Sequence, residues 1–210
     1  MPNESQQELE GYIAINGDLG VFLDSNKYVP ILNINDEAAV VLRLSLLIEN
    51  FLEIFIKNVR RPGTENFVKP ARYFMAKVET SVALGLPLSI AKALVTINSI
   101  RNKFAHKLDY SMNDEDFNEI EASVNLIDIE TVNPFGLLNM EVSKHMFEEG
   151  VSSLAFYNSL DYSAPLKKRK LYRLVGVVFI LANKCAFFTL NELDRQGRLS
   201  FGGEATEQDT

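Results

Sequence analysis

The chain contains few of the residues that build cross-linked or metal-bound proteins. Its 210 residues include one cysteine, Cys185, and two histidines, His106 and His145. A single cysteine excludes an intrachain disulfide, and the apolar segment ANKCAFF around it predicts a small buried hydrophobe in a reducing compartment. Acidic side chains surround His145 in VSKHMFEEG, but no second histidine or cysteine joins it, which favours a solvated helix face over a metal site. We therefore expect neither a metal nor a cofactor.

Several motifs with known chemistry are also missing from the sequence. It contains no G-x-x-x-x-G-K-[ST], no G-x-G-x-x-G and no G-x-S-x-G, so nucleotide hydrolysis and serine esterase chemistry lack support. No helix-turn-helix pattern is recognisable, which weakens the case for direct binding to a DNA operator.

Basic residues are outnumbered, 21 against 28 acidic ones, for a net charge of −7. Such a surface repels phosphate backbones in general but leaves room for a local basic pocket. The polar start MPNESQQELEGY does not resemble a signal peptide. The longest apolar run, residues 174–190, is short for a membrane span and is interrupted by Asn183 and Lys184, so it predicts a core helix. These features predict a cytoplasmic protein that does not bind membranes.

Helical periodicity dominates the rest of the chain and predicts an all-α protein. Short connections between the helices indicate an antiparallel bundle, with residues 35–200 as one helical domain. The predicted helices, with their N-cap candidates, are 35–61 (Asn35 or Asp36), 71–85, 89–106 (Ser89), 113–127 (Asn113 or Asp114) and 166–196.

The ends of the chain and one internal stretch give weaker signals. Residues 1–34 are interpreted as an N-terminal extension, in which alternation around Asn16-Gly17 suggests a small β-hairpin. Residues 201–210 are polar and predicted to be a disordered tail. Residues 130–165 are broken by Pro134, Gly136 and Gly150, and the sequence does not predict their role.

An unusual group of polar residues closes the third long helix, in TINSIRNKFAH. Asn98, Asn102 and His106 follow one another at intervals of four and therefore share one helix face. Arg101 lies about 140° around an unbroken helix from His106. The two side chains therefore diverge and would not easily contact one phosphate within one subunit. They could do so if the helix ended before His106, or if two copies of the helix met across a two-fold axis.

The residue types in this group suit RNA cleavage without a metal. The imidazole of His106 can accept or donate a proton near neutral pH, and the guanidinium of Arg101 can hold phosphate oxygens and offset negative charge in the transition state. Asn102 could orient the imidazole or bind the phosphate or sugar. Lys103 and Lys107 would add local positive charge for RNA binding. A structural alternative remains open, because basic residues in a last helical turn are favourable with the helix dipole and His106 could be a C-terminal cap.

Two further features leave alternatives open. The run KKRK at residues 167–170 could contact a phosphate backbone or could simply make the start of an apolar helix soluble. Glu49 and Asn50 interrupt an apolar stretch, where they could hydrogen-bond the motif or another helix, or lie at the edge of the core.

The segment RNKFAH resembles the signature of the HEPN superfamily in its shortest form, Arg-x4-His with Asn after Arg. The segments FMAKVETSVALGL and INSIRNKFAH resemble the core of its MltR-like branch, named after a mannitol-operon repressor, and the likeness spans roughly Ala38 to Leu126. The resemblance implies a helical bundle that dimerises around its motif helices. By position, it implies catalytic roles for Arg101 and His106 and a supporting role for Asn102.

Many HEPN proteins are metal-independent endoribonucleases that act as toxins or phage-defence effectors. The resemblance therefore predicts a hydrolase of this kind, active as a homodimer on RNA, with an antitoxin or a regulatory protein as a further partner. Because the MltR-like branch is described as regulatory, the alternative is a non-catalytic helical module that binds proteins.

Overall fold

The computed structural model describes residues 18–136, 160–161 and 163–198 and contains eight α-helices and no β-strand within those ranges. The prediction of an all-α helical bundle is confirmed. The helices are α1 (Gly20–Leu23), α2 (Val29–Leu32), α3 (Glu37–Val59), α4 (Phe74–Ala83), α5 (Leu88–His106), α6 (Asp114–Asn125), α7 (Ile129–Val132) and α8 (Leu166–Arg195).

The first long helix, α3, begins where its capping residue predicts. Of the two candidates, Asp36 is the N-cap, and its side chain accepts a hydrogen bond of 2.7 Å from the backbone N–H of Ala39. The helix ends at Val59, before Pro62, and its 23 residues extend for about 35 Å. Its apolar face packs on α8, α4 and α5.

Helix α8 is the central element of the bundle. It contacts α3, α6 and α7 as well as the two short N-terminal helices, and Cys185 near its middle is fully buried, as predicted. By length and composition, α8 could cross a membrane, with a mean hydropathy of 1.7 in its most apolar window. Residues filling 89% of that window are buried inside the protein, as in the core helix of a bundle.

Glycine and proline separate α4 from α5. Gly85 follows α4 with a φ of +104°, a conformation that glycine adopts without the strain of a Cβ atom. The N–H of Leu86 bonds back to the carbonyl oxygen of Ser81 at 2.9 Å and closes the end of the helix. Pro87 then precedes the first residue of α5. Ser89 lies inside the first turn, so its predicted N-cap role is wrong: the helix begins one residue earlier, directly after the proline.

A capping box starts α6. The side chain of Asn113 accepts a hydrogen bond from the N–H of Asp116, whose carboxylate accepts one from the N–H of Asn113 in return. Of the two N-cap candidates, Asn113 is thus the capping residue.

The predicted N-terminal hairpin is wrong over the residues that are described. Its second strand would fall on residues 18–32, which form α1, a 3₁₀ turn (Ser25–Lys27) and α2. The spacing of their apolar residues fits a helix as well as a strand, and burial against the other helices selects the helix. Phe22 and Tyr28 are fully buried. The side-chain amide of Asn183 on α8 donates to the carbonyl oxygen of Phe22 at 3.2 Å. This part of the N-terminal extension therefore contributes to the same core as the later helices.

Other predictions concern residues outside the described ranges. The Asn16-Gly17 turn, the surroundings of His145 and the tail at 201–210 all lie there.

Candidate functional site

Helix α5 carries the Arg-x4-His motif in its last two turns. Arg101 and His106 are exposed and Asn102 is half-buried. The guanidinium of Arg101 donates to the side-chain oxygen of Asn102 at 3.2 Å. The helix continues without a break to His106, and the N–H of Lys107 bonds to the carbonyl oxygen of Lys103 at 3.1 Å. One of the two conditions considered above, a helix ending before His106, is therefore excluded.

The unbroken helix keeps Arg101 and His106 apart within one chain. Five residues correspond to about 140° of rotation and about 7.5 Å along the axis. The Cα positions of Arg101 and His106 thus lie on different sides of α5, although the guanidinium of Arg101 reaches Asn102, which shares the face of His106. A second copy of the helix would give the two side chains a further way to contact one phosphate.

The outward face of α5 leads directly to the motif. Ile90, Leu94, Ile97 and Ile100 are buried on the opposite side of the helix. With a rotation of 100° per residue, the outward positions lie within about 40° of a common line. They are Leu88, Lys92, Val95, Ser99, Asn102 and His106. The first half of this stripe is partly apolar, and the second half is polar.

Lys103 is held by a buried carboxylate on α6. Its ammonium nitrogen lies 2.6 Å from Oδ1 of Asp116, a residue with only 3% of its surface exposed. The hydroxyl of Tyr110 donates to the other oxygen of the same carboxylate. Burial raises the pKa of Asp116, but the hydrogen bonds from Lys103 and Tyr110 outweigh it, so that the pKa is lowered overall. The Asp116 hydrogen bond is the main reason that the pKa of Lys103 is raised.

The segment that follows α5 packs on the bundle and is hydrogen-bonded to it. The ring of Tyr110 packs edge-on against Phe104 with centroids 4.8 Å apart. The hydroxyl of Ser111 donates to Oε2 of Glu37 on α3 at 2.7 Å. The sequence suggested none of these contacts, because spacing along the chain does not show how a connecting segment packs on its neighbours. They fix the end of α5 against the bundle.

Lys107 differs from Lys103 in its surroundings. It is exposed and makes no ion pair within the part of the chain that the structure describes. Of the two lysines predicted to bind RNA, only Lys107 therefore has its ammonium group available to a ligand.

The KKRK run and Glu49, whose roles the sequence left open, both have partners within the protein. In the KKRK run, Lys168 donates to the carbonyl oxygen of Ile34 at 2.6 Å and Lys170 pairs with Asp114. Burial lowers the pKa of Lys168. Glu49 accepts a hydrogen bond of 2.6 Å from Lys77 on α4, so it bonds another helix rather than the motif.

A second surface feature, which the sequence did not predict, is an apolar groove of about 840 Å³ between α4, α5 and α6. Leu88 and Leu126 on its wall are 64% and 75% exposed. The one available signal was apolar residues, Leu88 and Val95, on the face of α5 that points away from the core. The groove is lined by Val78, Glu79, Val82, Ala83, Leu88, Ala91, Lys92, Val95, Thr96, Glu119, Ala122, Ser123 and Leu126.

Within the described residues, no group of three or more His, Cys, Asp or Glu side chains is arranged to hold a metal ion. Comparisons of the chain with protein-family models, with curated proteins and with solved structures found no match. The function of the site is therefore inferred from its residues and from the resemblance of its motif.

Proposed function

We propose that the protein is a metal-independent endoribonuclease of the HEPN type, active as a homodimer, in which His106 and Arg101 are catalytic and Asn102 supports them. The observation that carries this proposal is the exposure of Arg101 and His106 at the end of α5, with Asn102 hydrogen-bonded to the arginine. A buried imidazole could not reach an RNA backbone.

The reaction uses proton transfer and charge stabilisation. An imidazole in the position of His106 accepts the proton of an RNA 2′-hydroxyl while the 2′-oxygen forms a bond to the adjacent phosphorus. The bond from phosphorus to the 5′-oxygen breaks, and that oxygen takes up a proton, which leaves a 2′,3′-cyclic phosphate and a 5′-hydroxyl. The guanidinium of Arg101 offsets the negative charge that grows on the phosphate oxygens.

The geometry of α5 supports a homodimer. Arg101 and His106 diverge by about 140° on one helix, and in a two-fold pairing Arg101 of one chain meets His106 of the other around the shared phosphate. Lys107 supplies positive charge beside this site, against the acidic background of the protein. Action as a toxin or a defence effector in the cytoplasm, opposed by an antitoxin or regulatory protein, rests on the resemblance of the motif alone.

The proposal is tested by incubating RNA with the purified protein in excess EDTA. We expect cleavage by the wild type and a loss of at least about 100-fold in both His106→Ala and Arg101→Ala, the usual effect of removing a proton-transfer or charge-stabilising group. His145→Ala, which removes the other histidine, is the matched control and should cleave at the wild-type rate. Intact RNA with the wild type under all conditions, or undiminished cleavage by the two motif variants, would refute the proposal.

A second candidate function is a non-catalytic module that binds another protein. The apolar groove between α4, α5 and α6 supports it, because grooves lined by aliphatic side chains are a form that protein-binding sites take. Binding at the groove without any RNA cleavage would favour this candidate.

A further inference from the structure

The apolar groove has a shape and a lining that restrict what can occupy it. It runs along the outward face of α5, with α4 on one side and α6 on the other. Its apolar side chains are all aliphatic, for example Val82, Val95 and Leu126. Nucleic-acid bases bind on aromatic side chains and phosphates on basic ones, so this lining does not suit RNA. It suits an aliphatic surface of another protein.

An open groove that follows α5 between α4 and α6 is suited to a helix. Amphipathic helices bind such grooves through apolar residues at positions i, i+3 or i+4, and i+7. The groove follows α5 from Leu88 to Thr96, which corresponds to about 12 Å of helix axis, or roughly two turns. Two turns present the three or four apolar side chains that this mode of binding uses.

The charges around the groove define the partner further. Glu79 on α4 and Glu119 on α6 lie on opposite sides of it, and Lys92 on α5 lies between them. None of these three makes an ion pair with any residue in the ranges that the structure describes. The groove is therefore bordered by two carboxylates that make no ion pair within the described residues, and with Lys92 its charged lining residues sum to a net negative charge.

We propose that this groove binds an amphipathic helix of a partner protein that has Lys or Arg residues on both sides of its apolar stripe. The aliphatic lining accepts the stripe, and Glu79 and Glu119 pair with the basic residues on either side. A second copy of this chain fits less well in a symmetric pairing, because two concave surfaces of the same charge neither fill nor neutralise each other.

Binding of labelled helical peptides to the full-length chain, measured by fluorescence anisotropy, tests this inference. Three peptides of about 18 residues have Leu at i, i+3 or i+4, and i+7: one flanked by Lys, one flanked by Glu, and a Lys-flanked one with its order scrambled. We expect the Lys-flanked stripe to bind about tenfold more tightly than the Glu-flanked one, because the charges facing Glu79 and Glu119 are reversed. We expect a similar advantage over the scrambled peptide, because its apolar residues no longer form a stripe.

Two variants locate the binding site. Ala122→Lys puts a long cation into the groove at an exposed position of α6 and should weaken binding of the Lys-flanked peptide at least about tenfold. Asn125→Lys adds the same residue to the same helix outside the groove and should leave binding within about twofold. The double variant Glu79→Lys/Glu119→Lys should prefer the Glu-flanked peptide.

Several results would overturn the inference. These are the absence of saturable binding of the Lys-flanked peptide at about 1 mM, equal binding of the scrambled peptide, or equal weakening by Ala122→Lys and Asn125→Lys. A wild-type dimer that Ala122→Lys converts to a monomer in sedimentation equilibrium would show that a second copy fills the groove. No RNA cleavage enters these measurements, so their failure is separate from failure of the proposed nuclease activity.

Discussion

The carboxylate of a single residue, Asp116, joins three parts of the molecule. One oxygen binds Lys103 on α5, the other accepts from Tyr110 in the connecting segment, and the backbone N–H of Asn113 completes the capping box of α6. Because Asp116 is buried, water cannot replace these partners. Its charge therefore stabilises the end of α5 that carries the motif.

Replacement of this carboxylate should lower the free energy of unfolding, and the size of the decrease should depend on pH. We expect Asp116→Asn to lower the free energy of unfolding by about 2 kcal/mol at pH 7, because charge-assisted hydrogen bonds and part of the cap are lost. The pKa of Asp116 is lowered in the folded protein, so its stabilisation is present above the ordinary carboxyl pKa and is lost as pH falls through the folded value. In urea titrations, the difference between wild type and variant should shrink from about pH 5 downward.

Asp114→Asn provides the control for this prediction. Asp114 lies in the same helical turn, but its side chain is 78% exposed, so the variant should change stability little. A difference between Asp116→Asn and wild type that stays constant down to pH 2 would contradict the role assigned to the ionised carboxylate.

The roles of some single residues could be predicted from the sequence, and the roles of others could not. Lys103 and Lys107 are equivalent in the sequence, both basic and both next to the motif, and were assigned the same role. The structure separates them because Lys103 meets Asp116, thirteen positions away on another helix. Capping residues such as Asp36 and Asn113 were predictable because their partners lie within three residues.

Helices α3 and α4 are held together by ion pairs between their side chains. Lys77 on α4 is buried and bonds both Glu49 and Glu53, one turn apart on α3, at 2.6 Å each. Burial lowers the pKa of Lys77, but the two carboxylates raise it by more, so the lysine remains charged. The contact orients α4, which forms one side of the apolar groove.

Loss of this lysine should loosen the packing of the two helices. Lys77→Met keeps most of the side-chain volume but leaves two neighbouring carboxylates without a cation. We expect a decrease of about 2 kcal/mol in the free energy of unfolding, less than for a fully buried pair because both glutamates are partly exposed to water. The measurement is chemical denaturation followed by circular dichroism. Lys92→Met, at an exposed lysine that makes no ion pair with the described residues, is the control. An equal effect of both variants would contradict this account.

The long helices could be predicted from the sequence, whereas the short ones could not. Helices α3, α5, α6 and α8 have apolar residues at helical spacing over three or more turns, which defines both the element and its inner face. Residues 18–32 have too few turns for such a pattern, and their apolar residues fit strand alternation equally well. Their conformation depends on burial of Phe22 and Tyr28 against other helices, which no local pattern contains.

At the scale of the whole molecule, one core supports two separate surface features. Nearly all the buried apolar side chains belong to a single cluster that extends from α1 to α8. The motif lies at the exposed end of α5, and its position at the end of a helix was predictable from the sequence. The groove was not, because three helices build it and its apolar residues are scattered along the sequence between Val78 and Leu126.

The central claim is that Arg101 of one chain and His106 of another form one RNA-cleaving site. Mixing Arg101→Ala with His106→Ala tests it directly, with subunit exchange verified by native mass spectrometry and RNA cleavage measured in excess EDTA. Each variant alone should be inactive. In an equal mixture, half of the dimers contain one chain of each variant, and each of these dimers has one intact site of two. About a quarter of the wild-type activity should therefore return. A mixture that exchanges subunits and remains inactive, although the wild type cleaves RNA, would contradict the shared site.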